Sequence, residues 1–403
     1  MNIQRTIPPA AAPIDFKNIF HGLTGIFNGK RHIEKLKEEV IKYFDIKHVF
    51  LISSGKAAIT LILLALKSLS SKKQVLIPAY TCFSVPSAIV KAGLKVSLCD
   101  IGSKAFDFDY KLLQKAINKD TLCVIPNHLF GIPSDIERIK EICKDNDIFI
   151  VEDAAQAMGG TYNGKKLGTI GDVGFFSLGR GKNITCGSGG IIITNSDQIA
   201  NAIAMCYSKL EKPGFLEDIK EFLQVMLMNL FIRPSFYWLP AGLPFLKLGQ
   251  TTFYKDFPIK RLSGMKAGLL HGWQEKLEEA NQIRRKNAEY FEERLRLRLR
   301  SRQKLRLRLR LRLSNGNTVS FLRLPLMAES REIRDEIFSL SNKKGLGVSA
   351  MYPMPINEIE EIRNQFNGSV FPSAKRISET LLTIPTHHLL SEKDKERISI
   401  LLQ

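Results

Sequence analysis

The sequence predicts an α/β protein with a large domain built on a mostly parallel sheet, followed by a smaller α+β domain. Between residues 30 and 250, short apolar runs alternate with helical segments, which is typical of parallel strands joined by right-handed crossovers. The chain has 403 residues, more than one hydrophobic core usually serves. Its 44% hydrophobic content is ample for a folded interior and excludes a mostly disordered chain.

The alternation can be followed along the chain from a helical segment over 32–44. Each predicted strand is short, apolar and followed by small or polar residues, and such strand ends are where α/β sheets bind ligands. The predicted strands cover 48–55, 74–78, 95–100, 121–127, 148–153, 174–178 and 190–194. The helices predicted between them cover 56–69, 87–93, 110–118 and 135–146.

The proposed domains are residues 1–255 and 256–403. The smaller one opens with a long helix over 265–295, and its tail from about Thr318 has strand candidates at 319–326 and 347–353 with closing helices.

The segment 215–250 is an apolar insertion that interrupts the alternation of predicted strands and helices. Its first half has helical spacing, and prolines and aromatic residues follow. One interpretation is a helix and loop buried against the body or a second subunit. The alternative is peripheral contact with a membrane, with Tyr237, Trp238, Arg233 and Lys247 at the lipid headgroups.

Residues 294–313 form a tract of alternating arginine and leucine. From Arg294 to Arg312 there are ten basic residues and no acidic one, about half of the chain's net charge of +19. Strict alternation favours a strand with one leucine face and one arginine face. The tract is interpreted either as a repeat inserted at a tolerant domain boundary or as a basic strand that binds phosphates or anionic lipid.

The six cysteines form no CxxC pair, which indicates a reduced, cytoplasmic protein without a structural zinc site. The first 30 residues lack the pattern of a signal peptide, and no apolar run is long enough for a spanning helix.

The glycine-rich run around Lys182 matches neither of two common nucleotide-binding motifs. Asn183 stands where a P-loop has Ser or Thr, and Ile184 stands where a dinucleotide fingerprint has its third glycine.

A different pattern remains, made of an acid, a lysine and a helix start. Asp153 follows an apolar strand, and Lys182 lies in a loop between two later strands. Pyridoxal phosphate (PLP) needs such a pair, a lysine amine for attachment and a carboxylate that keeps the pyridine nitrogen protonated. Residues 53–55 end a strand and open a helix whose first N–H groups suit the cofactor phosphate. The alternative is a buried, capped aspartate and a surface lysine.

Five sequence blocks in this order resemble the DegT/StrS-type sugar aminotransferases of PLP fold type I. They read ISSGKAAITL, VLIPAYT, HLFG, VEDAAQAMGG and GDVGFFSLGRGKNITCGSGG. The resemblance covers roughly residues 35–210 and 256–403, leaving out the insertion and the Arg/Leu tract. It implies an aspartate-aminotransferase-like large domain and a homodimer.

The resemblance also implies roles for individual residues. Lys182 matches the lysine that attaches PLP and moves the proton between substrate and cofactor carbons, and a lowered pKa is expected for it. Asp153 matches the partner of the pyridine nitrogen, and Gln156 the residue near the phenolic oxygen. His128 matches the histidine near the pocket, although a capped structural histidine is an equal alternative. The residues that match phosphate contacts are Ser54, Gly55 and Ser177.

Four departures from the family pattern surround this pocket. Lys56 stands in place of the usual threonine, where it either binds the phosphate or points away. Cys82 replaces an aromatic ring that stacks on the cofactor, with Tyr80 and Phe83 as potential substitutes. Residues 179–181 replace a His-Pro-Thr-like run, and Ile259 replaces an asparagine that reaches the phosphate across the dimer.

We therefore expect a homodimeric PLP aminotransferase that moves an amino group, with glutamate as the expected donor, onto a nucleotide-linked keto-sugar for surface polysaccharide. One alternative is an inactive protein of this fold that binds nucleic acid or anionic membranes through its basic tract. No aromatic residue is interleaved in that tract, so a nucleic-acid partner is not expected. The other is a PLP-dependent sugar dehydratase, disfavoured because a histidine replaces the lysine in such enzymes.

Overall fold

The computed structural model describes residues 5–102, 106–243, 246, 248, 249, 251–300, 307–309, 316–366 and 368–402. The helices are α1 Phe16–Phe27, α2 Gly29–Phe44, α3 Gly55–Leu69, α4 Ser84–Lys91, α5 Tyr110–Ala116, α6 Ile136–Cys143, α7 Asp197–Ser208, α8 Phe215–Phe231, α9 Trp238–Ala241, α10 Gly264–Leu269, α11 Trp273–Arg300, α12 Arg331–Lys344, α13 Pro372–Thr380 and α14 Glu392–Leu401. The strands are β1 His48–Ile52, β2 Gln74–Pro78, β3 Lys95–Cys99, β4 Thr121–Val124, β5 Phe149–Asp153, β6 Thr161–Tyr162, β7 Lys165–Lys166, β8 Val173–Ser177, β9 Gly190–Thr194, β10 Leu307–Leu309, β11 Arg323–Ala328 and β12 Leu381–Pro385.

A seven-stranded sheet in the order β1-β9-β8-β5-β4-β2-β3 forms the large domain. Strands β3, β2, β4, β5 and β8 run parallel, whereas β9 is antiparallel to both β8 and β1. Each of the seven predicted strands is present, and apolar side chains pack on both faces of the sheet, as parallel sheets require. The predicted α/β class with a mostly parallel sheet is therefore confirmed. The loops after β5 and β8 carry the residues of interest.

The N-terminal helix α1, which the sequence did not predict, packs on α10 through glycines. A Cβ atom on Gly25 would lie 2.3 Å from the carbonyl oxygen of Gly264, and one on Gly268 would lie 2.0 Å from that of His21. Only glycine allows the two backbones to approach this closely. Asp15 caps α1, and its carboxylate accepts a hydrogen bond from the backbone N–H of Asn18.

The smaller domain is an antiparallel sheet of β10, β11 and β12 covered by α12 and α14. The predicted strand over 347–353 is wrong, because only Ser349 forms a bridge, to Thr383 of the unpredicted β12. Trp273 belongs to the core of the large domain, and Ala288 to that of the smaller one. We therefore propose a domain boundary inside α11, later than residue 256.

The Arg/Leu tract does not follow its strand pattern at its start, because residues 294–300 continue helix α11. Residues 307–309 form β10, in which Leu307 is buried. The rest of the tract lies outside the described residues, as does Lys247 of the insertion.

The insertion begins with the predicted helix, α8, which leaves a row of large apolar side chains exposed. Helix α1 carries a second such row, and the Phe27 and Phe215 rings join the two at a centroid distance of 6.2 Å. This apolar face consists of Phe16, Phe20, Leu23, Phe27, Phe215, Leu216, Leu223, Leu227 and Leu230. Among the described residues, no helix combines the length and apolar character needed to cross a membrane.

Candidate active site

A cleft of about 600 Å³, counted to its open mouth, lies at the carboxyl ends of β4, β5 and β8. Of the nine residues predicted for the site, eight line this cleft: Gly55, Lys56, Cys82, His128, Asp153, Gln156, Ser177 and Lys182. The ninth, Ser54, lies beside it as the N-cap of α3. Residues far apart in the chain therefore converge at the predicted edge of the sheet.

Asp153 is buried and Lys182 is half-buried where they line the cleft. Asp153 is 8% exposed, and the backbone N–H of Ala155 donates to its Oδ1 at 3.1 Å. Burial raises the pKa of Asp153, although Lys182 and this hydrogen bond counteract the rise. Burial lowers the pKa of Lys182, against the opposite influence of Cys82 and Asp153. Burial therefore shifts both groups towards their neutral forms, and the nearby opposite charge partly offsets each shift.

The start of α3 forms one end of the cleft. The Ser54 hydroxyl accepts a hydrogen bond from the N–H of Ala57 at 3.1 Å, so the Ser54 side chain is already used as a helix cap. Gly55 lies against Ser177, and a Cβ atom on Gly55 would come within 2.9 Å of the Ser177 Cβ. This close approach brings the positive end of a 15-residue helix next to the Ser177 hydroxyl, a suitable seat for a phosphate.

Lys56 is held over two aromatic rings at the same end of the cleft. Its Nζ lies 4.2 Å from the ring centre of Tyr254 and 4.6 Å from that of Phe257. Burial lowers the pKa of Lys56. Lys56 also lines the cleft, and its binding of the phosphate stays a prediction.

His128 is a fixed part of the framework. The N–H of Ser134 donates to its Nδ1 at 3.0 Å, so its Nε2 carries the proton and donates to buried Glu152 at 3.0 Å. Burial by itself would raise the pKa of Glu152, but the hydrogen bond from His128 and those from Gly168 and Gly171 lower it. Both ring nitrogens are thus engaged, and His128 presents only its ring carbons to a ligand.

Gln156 is also engaged by the protein. Its Oε1 accepts a hydrogen bond from the N–H of Phe130 at 3.1 Å, and its Nε2 donates to the Tyr352 hydroxyl at 2.9 Å. Phe130 has a φ of 61°, a backbone conformation that is rare for aromatic residues, and the Gln156 contact stabilises it. One N–H of Gln156 remains for a ligand.

Cys82 stands where the family has an aromatic ring that stacks on the cofactor, and no ring of its sequence neighbours lies in that place. Cys82 lines the cleft, with its Sγ 3.9 Å from the Thr251 hydroxyl. Tyr80 and Phe83 are instead buried in the core of the large domain, where the Tyr80 ring packs against Tyr352. The expectation that Tyr80 or Phe83 takes the role of the stacking ring is therefore wrong.

Two residues that the sequence did not single out also matter. Asn127 is 4% exposed and lines the cleft, and neither its Oδ1 nor its Nδ2 has a hydrogen-bond partner in the described structure. Arg284 of α11 is buried and donates to the carbonyl oxygens of Lys182 and Asn183 at 3.3 and 3.1 Å. Neither residue belongs to a motif, so only the folded chain reveals these contacts.

The residues of the cleft fit PLP. Asn127 provides the independent test, since a buried amide without partners costs about 1–3 kcal/mol unless a ligand satisfies it. Asp153 is an acid that suits the pyridine nitrogen, and Lys182 is an amine that suits attachment. The start of α3 suits the phosphate, and the Asn127 amide suits the phenolic oxygen of the ring. Fold and site together define a PLP-dependent enzyme of fold type I.

The chain belongs to the DegT/DnrJ/EryC1/StrS aminotransferase family, whose profile matches residues 23–403. Aminotransferases of this family use PLP. The fold resembles that of an aminotransferase from Helicobacter pylori involved in the biosynthesis of pseudoaminic acid, with a TM-score of 0.79, 16% identity and coverage of 98% of both chains.

Sequence similarity to named relatives is confined to part of the chain. A GDP-perosamine synthase from Vibrio cholerae is 31% identical over 169 residues, 42% of this chain and 46% of the relative. A GDP-4-keto-6-deoxy-D-mannose 3-dehydratase from Yersinia pseudotuberculosis is 29% identical over 204 residues, 49% of this chain and 51% of the relative. The matched part thus spans about half the length of these relatives.

Proposed function

We propose that this protein transfers an amino group from glutamate to a keto-sugar carried on a nucleotide, as a step in supplying amino sugars for surface polysaccharide. The observation that supports this most directly is the cleft in which Lys182, Asp153 and the start of α3 converge. Named relatives include proteins that make or process nucleotide-linked sugars.

Bound PLP would supply an electron sink for the reaction. Lys182 would attach the cofactor, and its Nζ, once freed by the amino donor, would take and return the proton at the donor's α-carbon. Burial lowers the pKa of Lys182, which favours the neutral amine, the form that can accept a proton. Asp153 would hold a proton on the ring nitrogen of the bound cofactor, and Arg284 fixes the backbone that carries Lys182.

The function can be tested by separating the two half-reactions. The holoenzyme is first mixed with glutamate alone, and we expect its visible absorption band to bleach with release of 2-oxoglutarate. Addition of a nucleotide-linked keto-sugar should then restore the band and yield the amino sugar. A dehydratase would instead release a deoxy sugar that carries no new amino group. That product would contradict the proposal.

Asn127 gives a prediction in which stability and cofactor affinity change in opposite directions. Replacement with leucine should weaken PLP binding about tenfold, since one or two hydrogen bonds are lost. The same substitution should stabilise the apoprotein by about 1–3 kcal/mol, because a buried amide without partners is removed. Fluorescence titration with PLP and thermal unfolding of the apoprotein measure the two effects.

The control for this variant is Asn146→Leu, which makes the same change at an exposed position far from the cleft. It should leave PLP affinity unchanged. Wild-type PLP affinity in Asn127→Leu would contradict the assignment of its amide to the cofactor.

We further propose that a second copy of the chain covers the apolar face of α1 and α8. An exposed apolar area that runs along two helices marks an interaction site. A homodimer formed in this way accords with the expectation drawn from the family.

Substitutions on α8 test this interface. We expect Leu223→Lys combined with Leu227→Lys to convert a dimer to a monomer in light scattering, because two buried apolar contacts become charged. Leu112→Lys on α5, which is exposed elsewhere, should leave the dimer intact. A monomeric wild-type protein would contradict the proposal, and flotation of that protein with anionic vesicles would favour the membrane hypothesis.

A further inference from the structure

The N-terminal residues 5–12, here called the strap, are held against the body of the protein although they form no helix or strand. Ile7 is 1% exposed, and its N–H donates to the carbonyl oxygen of Gly345 at 2.9 Å. The His387 Nε2 donates to the carbonyl oxygen of Pro8 at 2.8 Å. Gly345 and His387 belong to the smaller domain, so the strap is fastened to that domain. It precedes the part of the chain that the family profile matches.

The strap also contacts the turn that carries Lys182. The N–H of Lys182 donates to the carbonyl oxygen of Gly179 at 3.3 Å and closes this turn, in which Gly181 has a φ of 67°. A Cβ atom on Gly181 would lie 3.1 Å from the Cβ of Ala10. Glycine suits both this backbone conformation and this close approach, and the turn therefore packs directly on the strap.

Arg284 of α11 joins the strap to the Lys182 turn. It is 1% exposed, and its Nη2 donates to the carbonyl oxygens of Ala11, Lys182 and Asn183 at 3.1, 3.3 and 3.1 Å. Its Nη1 donates to the side-chain oxygen of Asn281 at 3.0 Å. One guanidinium thus contacts the backbone of both segments at once.

The charge of Arg284 is buried without an acidic partner in the part of the chain that the structure describes. Burial lowers the pKa of Arg284 to about 10, so the side chain is still a cation at neutral pH. Its neutral partners accept hydrogen bonds but do not cancel the charge, and such burial costs stability. Costly features of this kind are expected at functional sites, and the Lys182 carbonyl is the contact of Arg284 that lies nearest to the chemistry.

We propose that the strap is a positioning element for Lys182, with Arg284 as the residue that joins the two. This inference rests on the proposed role of Lys182 as the lysine that attaches PLP. Lys182 lies between β8 and β9, so neither strand fixes its backbone. A displacement of about 1 Å at a reacting group can cost about 100-fold in rate. Arg284 does not line the cleft, so it acts through Lys182 rather than on the substrate.

The test compares two ligands of the cleft in Arg284→Met. PLP can form a covalent bond with Lys182, whereas pyridoxine phosphate, which has an alcohol in place of the aldehyde, cannot. We expect the dissociation constant of PLP to rise about tenfold and that of pyridoxine phosphate to stay unchanged, because only the covalent bond depends on the position of the amine. At saturating glutamate, the rate of the first half-reaction should fall about 10- to 100-fold.

Two further variants of α11 separate charge from contact. Arg284→Lys keeps the charge but loses the planar fork of donors, and it should recover part of the PLP affinity. Arg296→Met is the matched control, because it removes the same charge from an exposed position of the same helix. It should leave the affinity for both ligands unchanged.

Deletion of residues 1–12 removes the strap and keeps Arg284, so the test stays decisive if Arg284→Met fails to fold. It should produce the same difference between the two ligands, and deletion of residues 1–4 alone is its control. PLP affinity of the wild-type value in either folded variant would overturn the proposal, as would equal weakening of both ligands. If attachment to Lys182 requires Arg284 and the strap but no amino acid bleaches the band of the wild-type holoenzyme, the proposed function fails while the positioning role stands.

Discussion

Replacement of Lys182 with alanine should lower the rate of amino transfer by about 10⁴-fold or more, since the attachment point and the proton carrier are lost together. PLP should still bind through its phosphate and ring contacts, but borohydride should no longer fix it to the protein. The measurement is the single-turnover rate of 2-oxoglutarate release from glutamate.

Lys56→Met serves as the control, because it removes a second lysine of the cleft that we assign to the phosphate end. It should weaken PLP binding and leave covalent attachment intact. Attachment in the wild-type protein should reach its plateau rate well below pH 10.5, the ordinary pKa of lysine, because burial lowers the pKa of Lys182. Retained transfer activity in Lys182→Ala would contradict the role of this residue.

Replacement of Asp153 with asparagine should lower kcat by about 10²- to 10³-fold, the usual cost of removing one preorganised electrostatic partner. The asparagine retains the shape but no longer holds a proton on the pyridine nitrogen. Asp153→Glu, which keeps the charge, should be less impaired. Steady-state kinetics with saturating PLP separates this effect from weaker cofactor binding.

The apoprotein of Asp153→Asn gives an independent check through pH. Because burial raises the pKa of Asp153, the folded apoprotein holds this proton at pH values where the unfolded chain has lost it. Its contribution to stability is therefore present at low pH and is lost as the pH rises through the folded-state pKa. At neutral pH the Asp153→Asn apoprotein should unfold at a higher temperature than the wild type. A lower unfolding temperature would contradict the inference that burial of the ionised Asp153 carboxylate is unfavourable.

The large domain and most of the cleft could be predicted because the signals are local in sequence. Each strand of the sheet is a short apolar run, and Asp153 and Ser177 stand at the carboxyl ends of two of them. Parallel strands bring these ends to one edge of a sheet, so proximity follows from topology alone. Helix α8 could also be predicted, because its apolar residues follow helical spacing.

The features that sequence analysis missed depend on contacts between distant segments. Helix α1 contains Gly22 and Gly25, which weaken its local signal, and it is stabilised by close packing on α10. Strand β12 is one of three short strands whose pairing is entirely non-local. Asn127 differs from an ordinary polar residue only because its side chain is buried without partners. The strand predicted for 294–300 failed because those residues extend a helix that is already anchored by packing.

The most direct test of the account is to locate the covalent cofactor adduct. Purified protein is incubated with PLP, reduced with borohydride and mapped by peptide mass spectrometry, and one portion receives glutamate before reduction. We predict a single stable adduct on Lys182, absent from the portion treated with glutamate because the donor has released the lysine. An adduct on another lysine, or no visible band with the fold intact, would contradict the assignment of this cleft as a PLP-dependent aminotransferase site.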